Sequence, residues 1–159
     1  MPRPHPHSLK ALLRTSALGV VLCALPTQAG AIDWTGATDN DWFKDSNWST
    51  VVPTGGNSAN INIMTNTPAL IDGGASAALS HVQLGLDADE EGSLVATGSG
   101  TTLAATANIL VGATGTGTLS ILDGAVASSD YGVIAYNVGG FGTATVDGAG
   151  SEWNAARDM

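Results

Sequence analysis

The chain has 159 residues, is 43% hydrophobic and only 12% charged, and contains 21 glycines but few aromatics. That profile argues against a helical bundle, which would be rich in Leu, Glu and Lys, and points to short strands joined by tight glycine turns. Fourteen acids stand against five basic residues, which argues against nucleic acid as a partner and disfavours anionic membrane surfaces, because both are bound through Lys and Arg.

The first element is an export signal. Arg3, Lys10 and Arg14 form a positive region, Ser16–Leu25 an apolar run, and Ala29-Gly30-Ala31 a small-x-small cleavage site, with cleavage predicted after Ala31. The apolar run is shorter than the roughly 20 residues a membrane-spanning helix needs. Without a twin-arginine pair the general secretion route is expected. Cys23 follows Leu22 inside the apolar run and reads as a hydrophobe of the signal. Removal of residues 1–31 leaves Lys44 and Arg157 against fourteen acids, a net charge of −12. It also leaves no cysteine, so no disulfide, thiolate nucleophile or cysteine metal site is available. The expected location is beyond the inner membrane, at the cell surface or outer membrane or outside the cell.

Residues 32–63 hold most of the aromatics: Trp34, Trp42, Phe43 and Trp48. Exposed aromatics could stack on sugars. The preferred reading is a Trp-rich N-terminal capping module, because an open repeat stack exposes apolar core and unpaired strand edges. Asn47-Trp48-Ser49 spells a glycosylation sequon; in a bacterial export context Asn47 is read as a turn residue.

Residues 64–159 carry a repeat. Gly92-Ser-Leu-Val-Ala-Thr-Gly98, Gly117-Thr-Leu-Ser-Ile-Leu-Asp-Gly124 and Gly142-Thr-Ala-Thr-Val-Asp-Gly148 align, and the step from one leading glycine to the next is constant. Before each stands an alternating segment: His81–Gly85, Asn108–Gly112 and Gly132–Tyr136. Period-two alternation is a strand signal. Leu94, Leu119 and Ala144 take equivalent places, as do Val82, Ile109 and Val133. Each unit reads strand, glycine turn, strand, short link, and about three such coils are expected. A unit this small buries its apolar face only by stacking, with like residues about 4.8 Å apart. The expected fold is all-β, a right-handed parallel β-helix or β-solenoid with about 25-residue coils. An antiparallel sandwich of hairpins is the alternative, which the fixed step disfavours.

The densest acids, Asp87, Asp89, Glu90 and Glu91, share one turn. Paired carboxylates cut glycosidic bonds, but neighbours in one loop face water and each other. Calcium fits better: Asp87, Asp89 and Glu91 follow the start of an oxygen-ligand loop closed by Gly92. The closing acid should stand at position 98, which is Gly98, so the match is partial and a solvated acidic turn is the expectation. No other metal or cofactor is implied. His81 is the one histidine of the mature chain, no G-x-S-x-G elbow occurs, and no enzyme is expected.

The order W-x-G, D-W, N-W, P, N-x-N-I, then I-D-G-G (Ile71–Gly74) and G-T-L-type repeats, with Gly148-Ala149-Gly150-Ser151-Glu152-Trp153 near the end, resembles the passenger region of bacterial autotransporters. The resemblance covers the mature chain. It implies a β-helix displayed at the outer surface by a C-terminal membrane barrel, with adhesion, self-association or surface display as the role, and a protein or glycan as ligand. The barrel expected from the resemblance is absent from this sequence, in which no run of about ten-residue alternating segments with aromatic girdles occurs. A truncated gene product, stopping mid-repeat, is therefore expected. The alternatives to adhesion are a structural spacer of a surface protein and a fragment of a β-helix carbohydrate-active enzyme.

Overall fold

The computed structural model describes residues 30–63 and 67–157. Residues 1–29, which hold all of the expected signal except Gly30 and Ala31, lie outside the described residues, as do 64–66, Asp158 and Met159. Ala31 opens the first strand: it is opposite Ser58, and the carbonyl of Gly30 accepts from the Ser58 amide at 3.3 Å.

The chain winds as a three-sided parallel β-solenoid. Its first face stacks β3 (Ala69–Ile71), β6 (Glu91–Thr97), β9 (Thr116–Leu122) and β11 (Phe141–Asp147). The second face stacks β4 (Ser76–Leu79), β7 (Thr102–Ala105), the first half of β10 (Val126–Ile134) and β12 (Glu152–Arg157). The third stacks β1 (Ala31–Asp33), β2 (Ser58–Ile61), β5 (His81–Leu84), β8 (Asn108–Val111) and the second half of β10. Every ladder between these strands is parallel. The all-β stack of about 25-residue coils expected from the glycine spacing is therefore present, with Gly92, Gly117 and Gly142 directly opposite one another. Alternate residues of each strand point inward and build one continuous core, from Ile61, Leu84 and Leu94 through Ile109, Leu119 and Ile121. Among the described residues no helix is long and apolar enough to cross a membrane.

Three details differ from the sequence reading. Five strands stack on the third face, so there are about five turns rather than three. The short link is itself a strand, β4 or β7, making three strands per coil. The third alternating segment is also shifted by one residue. Ile109 faces Gly132, not Val133, and Val133 faces Leu110, outside the core. The physical reason is Trp153, on the following coil. A Cβ at Gly132 would lie 2.8 Å from the Trp153 ring, so the indole fills the space that an inward side chain would take.

Coils alternate in corner length. Between paired positions of the first and second faces, four residues separate Ile71 from Ser76, five separate Ala96 from Thr102, four separate Ile121 from Val126 and five separate Val146 from Glu152. Between the third and first faces, six residues separate Leu84 from Glu91, four separate Val111 from Thr116 and six separate Ile134 from Phe141. The structural period is thus two coils rather than one. The reason is visible in the long corners. Thr101 Oγ1 donates to the Thr97 carbonyl (2.8 Å) and accepts from the Gly74 amide of the short corner beside it (3.0 Å). Ser151 Oγ repeats this with the Asp147 carbonyl (2.6 Å) and the Gly124 amide (2.9 Å). A long corner therefore clips a short one, satisfying backbone groups that a buried turn would otherwise leave unpaired.

The tryptophan module seals the N-terminal end. Trp34, Trp42 and Trp48 are all buried, with edge-on ring pairs at 5.0 and 4.7 Å; none is available for stacking on a sugar. The Trp42 amide donates to the Leu70 carbonyl on the outer edge of β3, and the Gly55 amide to Ala78 on the outer edge of β4. The third-face ladder already includes β2, so the stack begins inside the 32–63 stretch. Asn47 is fully buried at the end of a short 3-10 turn (Asp45–Asn47). Its Oδ1 accepts from the amides of Thr38 and Asp39, and its Nδ2 donates to Asp39 Oδ1 and the Asp41 carbonyl.

Candidate functional site: a lateral acidic groove

Where the third face turns into the first, the loops of successive coils stack beside one another. The long loops, 85–90 and 135–140, flank the short loop 112–115. The short loop leaves a groove of about 340 Å³ between its longer neighbours, lined by Asp89, Glu90, Glu91, Thr114, Thr116 and Phe141 along with glycines. The loops fit closely because Gly115 has no side chain: a Cβ there would lie 2.3 Å from the carbonyls of both Asp87 and Glu90. Asp89 turns the upper loop with φ of 66°, the position that Gly139 fills two coils later.

Strand register sets the groove wall. Glu91, Thr116 and Phe141 are paired in one exposed row at the start of β6, β9 and β11. Beside them Glu90 Oε2 is shielded from solvent and has no hydrogen-bond partner among the described residues. Thr114 Oγ1 accepts from Asn137 Nδ2 at 3.2 Å and ties the short loop to the next. The groove therefore offers three carboxylates and two hydroxyls next to an aromatic ring that is 71% exposed. Acceptors beside a flat apolar surface suit a ligand that carries hydroxyl or ammonium donors.

Asp89 and Glu91 reach this groove, while Asp87 does not line it. Among the described residues no group of three His, Cys, Asp or Glu side chains is placed to hold a metal ion. His81 opens β5, where Nδ1 lies 2.8 Å from Ser80 Oγ and 3.4 Å from Ser58 Oγ. Thr116 and Phe141 are groove residues that the sequence reading does not single out. The signal is present in the letters: they stand immediately before Gly117 and Gly142, at the same offset as Glu91 before Gly92.

Fold and groove together define a three-sided β-solenoid, sealed at one end and carrying a lateral acidic cleft. Comparison with protein-family models, with curated proteins and with solved structures gave no match to this chain.

Proposed function

We propose that this chain is an exported, non-enzymatic surface module of the autotransporter-passenger type, which presents its lateral groove to a glycan or a basic protein segment. The observation that carries the reading is the row Glu91–Thr116–Phe141 beside the unpaired Glu90 carboxylate, held rigid by three stacked coils. A site on a regular scaffold keeps its shape before the ligand arrives, which lowers the entropic cost of binding. The acidic balance of the chain adds long-range attraction for a positive partner. Export rests on the charged, apolar and small-residue pattern of residues 1–31, and N-terminal sequencing of the secreted product checks it, with Ile32 as the expected first residue.

Binding of the purified chain to a glycan array and to immobilised basic peptides tests the groove. Retention of the wild type, with about tenfold weaker binding for Phe141→Ala and for Glu90→Gln, is the expected outcome, in line with loss of a central contact. A wild type held by no glycan, peptide or cell surface favours the spacer role. Binding that both substitutions leave untouched removes the groove from the mechanism.

A further inference from the structure

Two residues on the signal side of the expected cleavage bond are part of the fold. Ala31 pairs with Ser58 as the first of three pairs joining β1 to β2, and the Gly30 carbonyl accepts from the Ser58 amide at 3.3 Å. Ile32, the next residue, points into the core and is 6% exposed, whereas Gly30 and Ala31 are exposed. A Cβ at Gly30 would meet no atom within 4 Å, so this residue stands in open space at the margin of the coil. The sequence also holds a second small-x-small triplet. Thr27-Gln28-Ala29 overlaps Ala29-Gly30-Ala31 and lies closer to Leu25, where the apolar run ends.

We propose that the processing site is the bond between Ala29 and Gly30, so that the mature chain begins with Gly30. The inference rests on the export reading and moves the first residue from Ile32, which the small-residue pattern gives, to Gly30, which the strand gives. A cut after Ala31 removes one of the three pairs that hold β1 and takes away the Gly30 carbonyl, leaving the Ser58 amide without its acceptor. It also creates an α-amino group on Ile32, largely protonated at neutral pH because its pKa lies at about 8. That charge would sit on a residue whose side chain is in the core, where desolvation is costly. A cut after Ala29 places the same group on exposed Gly30, in water. The order of events differs as well. An enzyme that reads an extended peptide engages its backbone hydrogen bonds, and at Ala31 the pairing with Ser58 already uses that stretch. Once the first coil has formed, the Ala31–Ile32 bond is closed to processing. The Ala29–Gly30 bond precedes the first pair, so cutting and folding do not compete.

Expression of the full chain in a bacterium, with N-terminal sequencing and intact mass of the exported product, tests this. Two substitutions separate the bonds, because each changes a small position of only one triplet. Thr27 is the third residue before the Ala29–Gly30 bond and belongs to no triplet of the later one. Ala31 is the last residue before the later bond and lies beyond the earlier one; it is exposed, so a larger side chain there stays out of the core. The wild type is expected to begin at Gly30. Ala31→Phe is expected to be processed as fully as the wild type, again from Gly30. Thr27→Phe is expected to lose the Gly30 product and to accumulate precursor. An exported wild type that begins at Ile32 overturns the inference and leaves export standing. So does a Thr27→Phe chain that still yields Gly30, or an Ala31→Phe chain whose processing is blocked. A wild type that keeps residues 1–29 overturns the export reading itself, and this inference with it.

Discussion

At the scale of single residues, two kinds of position carry the winding. The first is the column Gly92, Gly117, Gly142, where a side chain has nowhere to go. A Cβ would lie 1.9 Å from the Ile61 carbonyl oxygen at Gly92, 2.1 Å from the Gly112 amide at Gly117, and 2.2 Å from the Val111 carbonyl oxygen at Gly142. These obstacles are backbone atoms of third-face strand ends and of the corner that follows, and cannot rotate away. Gly117→Ala is therefore expected to destabilise the chain by about 3 kcal/mol, the upper range for overpacking, as a drop in the denaturant midpoint. The second kind is a left-handed backbone occupied by a residue other than glycine. Ala135 has φ of 58° and Asp123 has 54°, whereas Gly85 and Gly73, at the matching places two coils earlier, have 62° and 63°. An L-residue strained by about 1–2 kcal/mol there gives back part of that through its smaller unfolded-state entropy. Ala135→Gly is expected to stabilise by about 0.5 kcal/mol, seen as a rise in Tm.

At the scale of elements, the cap is a small polar and aromatic unit held by Asn47 and Asp39. Asp39 accepts from Lys44 Nζ (2.7 Å), Asn47 Nδ2 (2.6 Å) and the Asp41 amide (3.1 Å). The Lys44 bond, followed by those from Asn47 and Asp41, lowers its carboxyl from the ordinary 3.8 to about 2. A depressed carboxyl stabilises the fold fully above its ordinary value, and that contribution is lost as pH falls from 3.8 through about 2. Tryptophan fluorescence during acid titration should follow the cap, because three of the four tryptophans lie in it. The transition is expected at lower pH in the wild type than in Lys44→Met; coincident midpoints would show that this pair does not hold the module. The cap was legible as an aromatic cluster. Its polar centre was not, because nothing in the letters of Asn47-Trp48-Ser49 shows the amide turned inward on four partners. The strands β4 and β7 were also hidden. Ser76–Leu79 and Thr102–Ala105 are short and built of small residues, and they read as links until the ladder pairs them.

At the scale of the whole molecule, the constant step was readable because the column glycines are sterically obligatory and keep their letter in three successive coils, at Gly92, Gly117 and Gly142. The double-coil period was not, since it lies in corner lengths, and alternating insertions of one or two residues cancel over a full turn of the first face. The groove follows from the same period: a short loop between two long ones leaves a cleft, and its walls come from residues two coils apart. A period of two coils makes a prediction that a period of one does not. Adding coils to a solenoid ordinarily stabilises it through each new interface. Inserting a second copy of residues 85–134 after Ile134 continues the alternation, so each long corner still meets a short one, and Tm is expected to rise. Inserting a second copy of residues 92–116 after Thr116 places two long corners side by side, where Thr101 Oγ1 of one copy finds no short-corner amide. That hydroxyl keeps its own bond to the Thr97 carbonyl but loses the cross-coil bond that locks neighbouring corners together, at about 1 kcal/mol, and the misfit of two long corners offsets the gain from the added core. The thermal midpoint is therefore expected to rise for the two-coil duplication and to stay level or fall for the single-coil one. Equal gains per added coil would mean that the corners are independent and that the coil, not the pair of coils, is the unit this chain repeats.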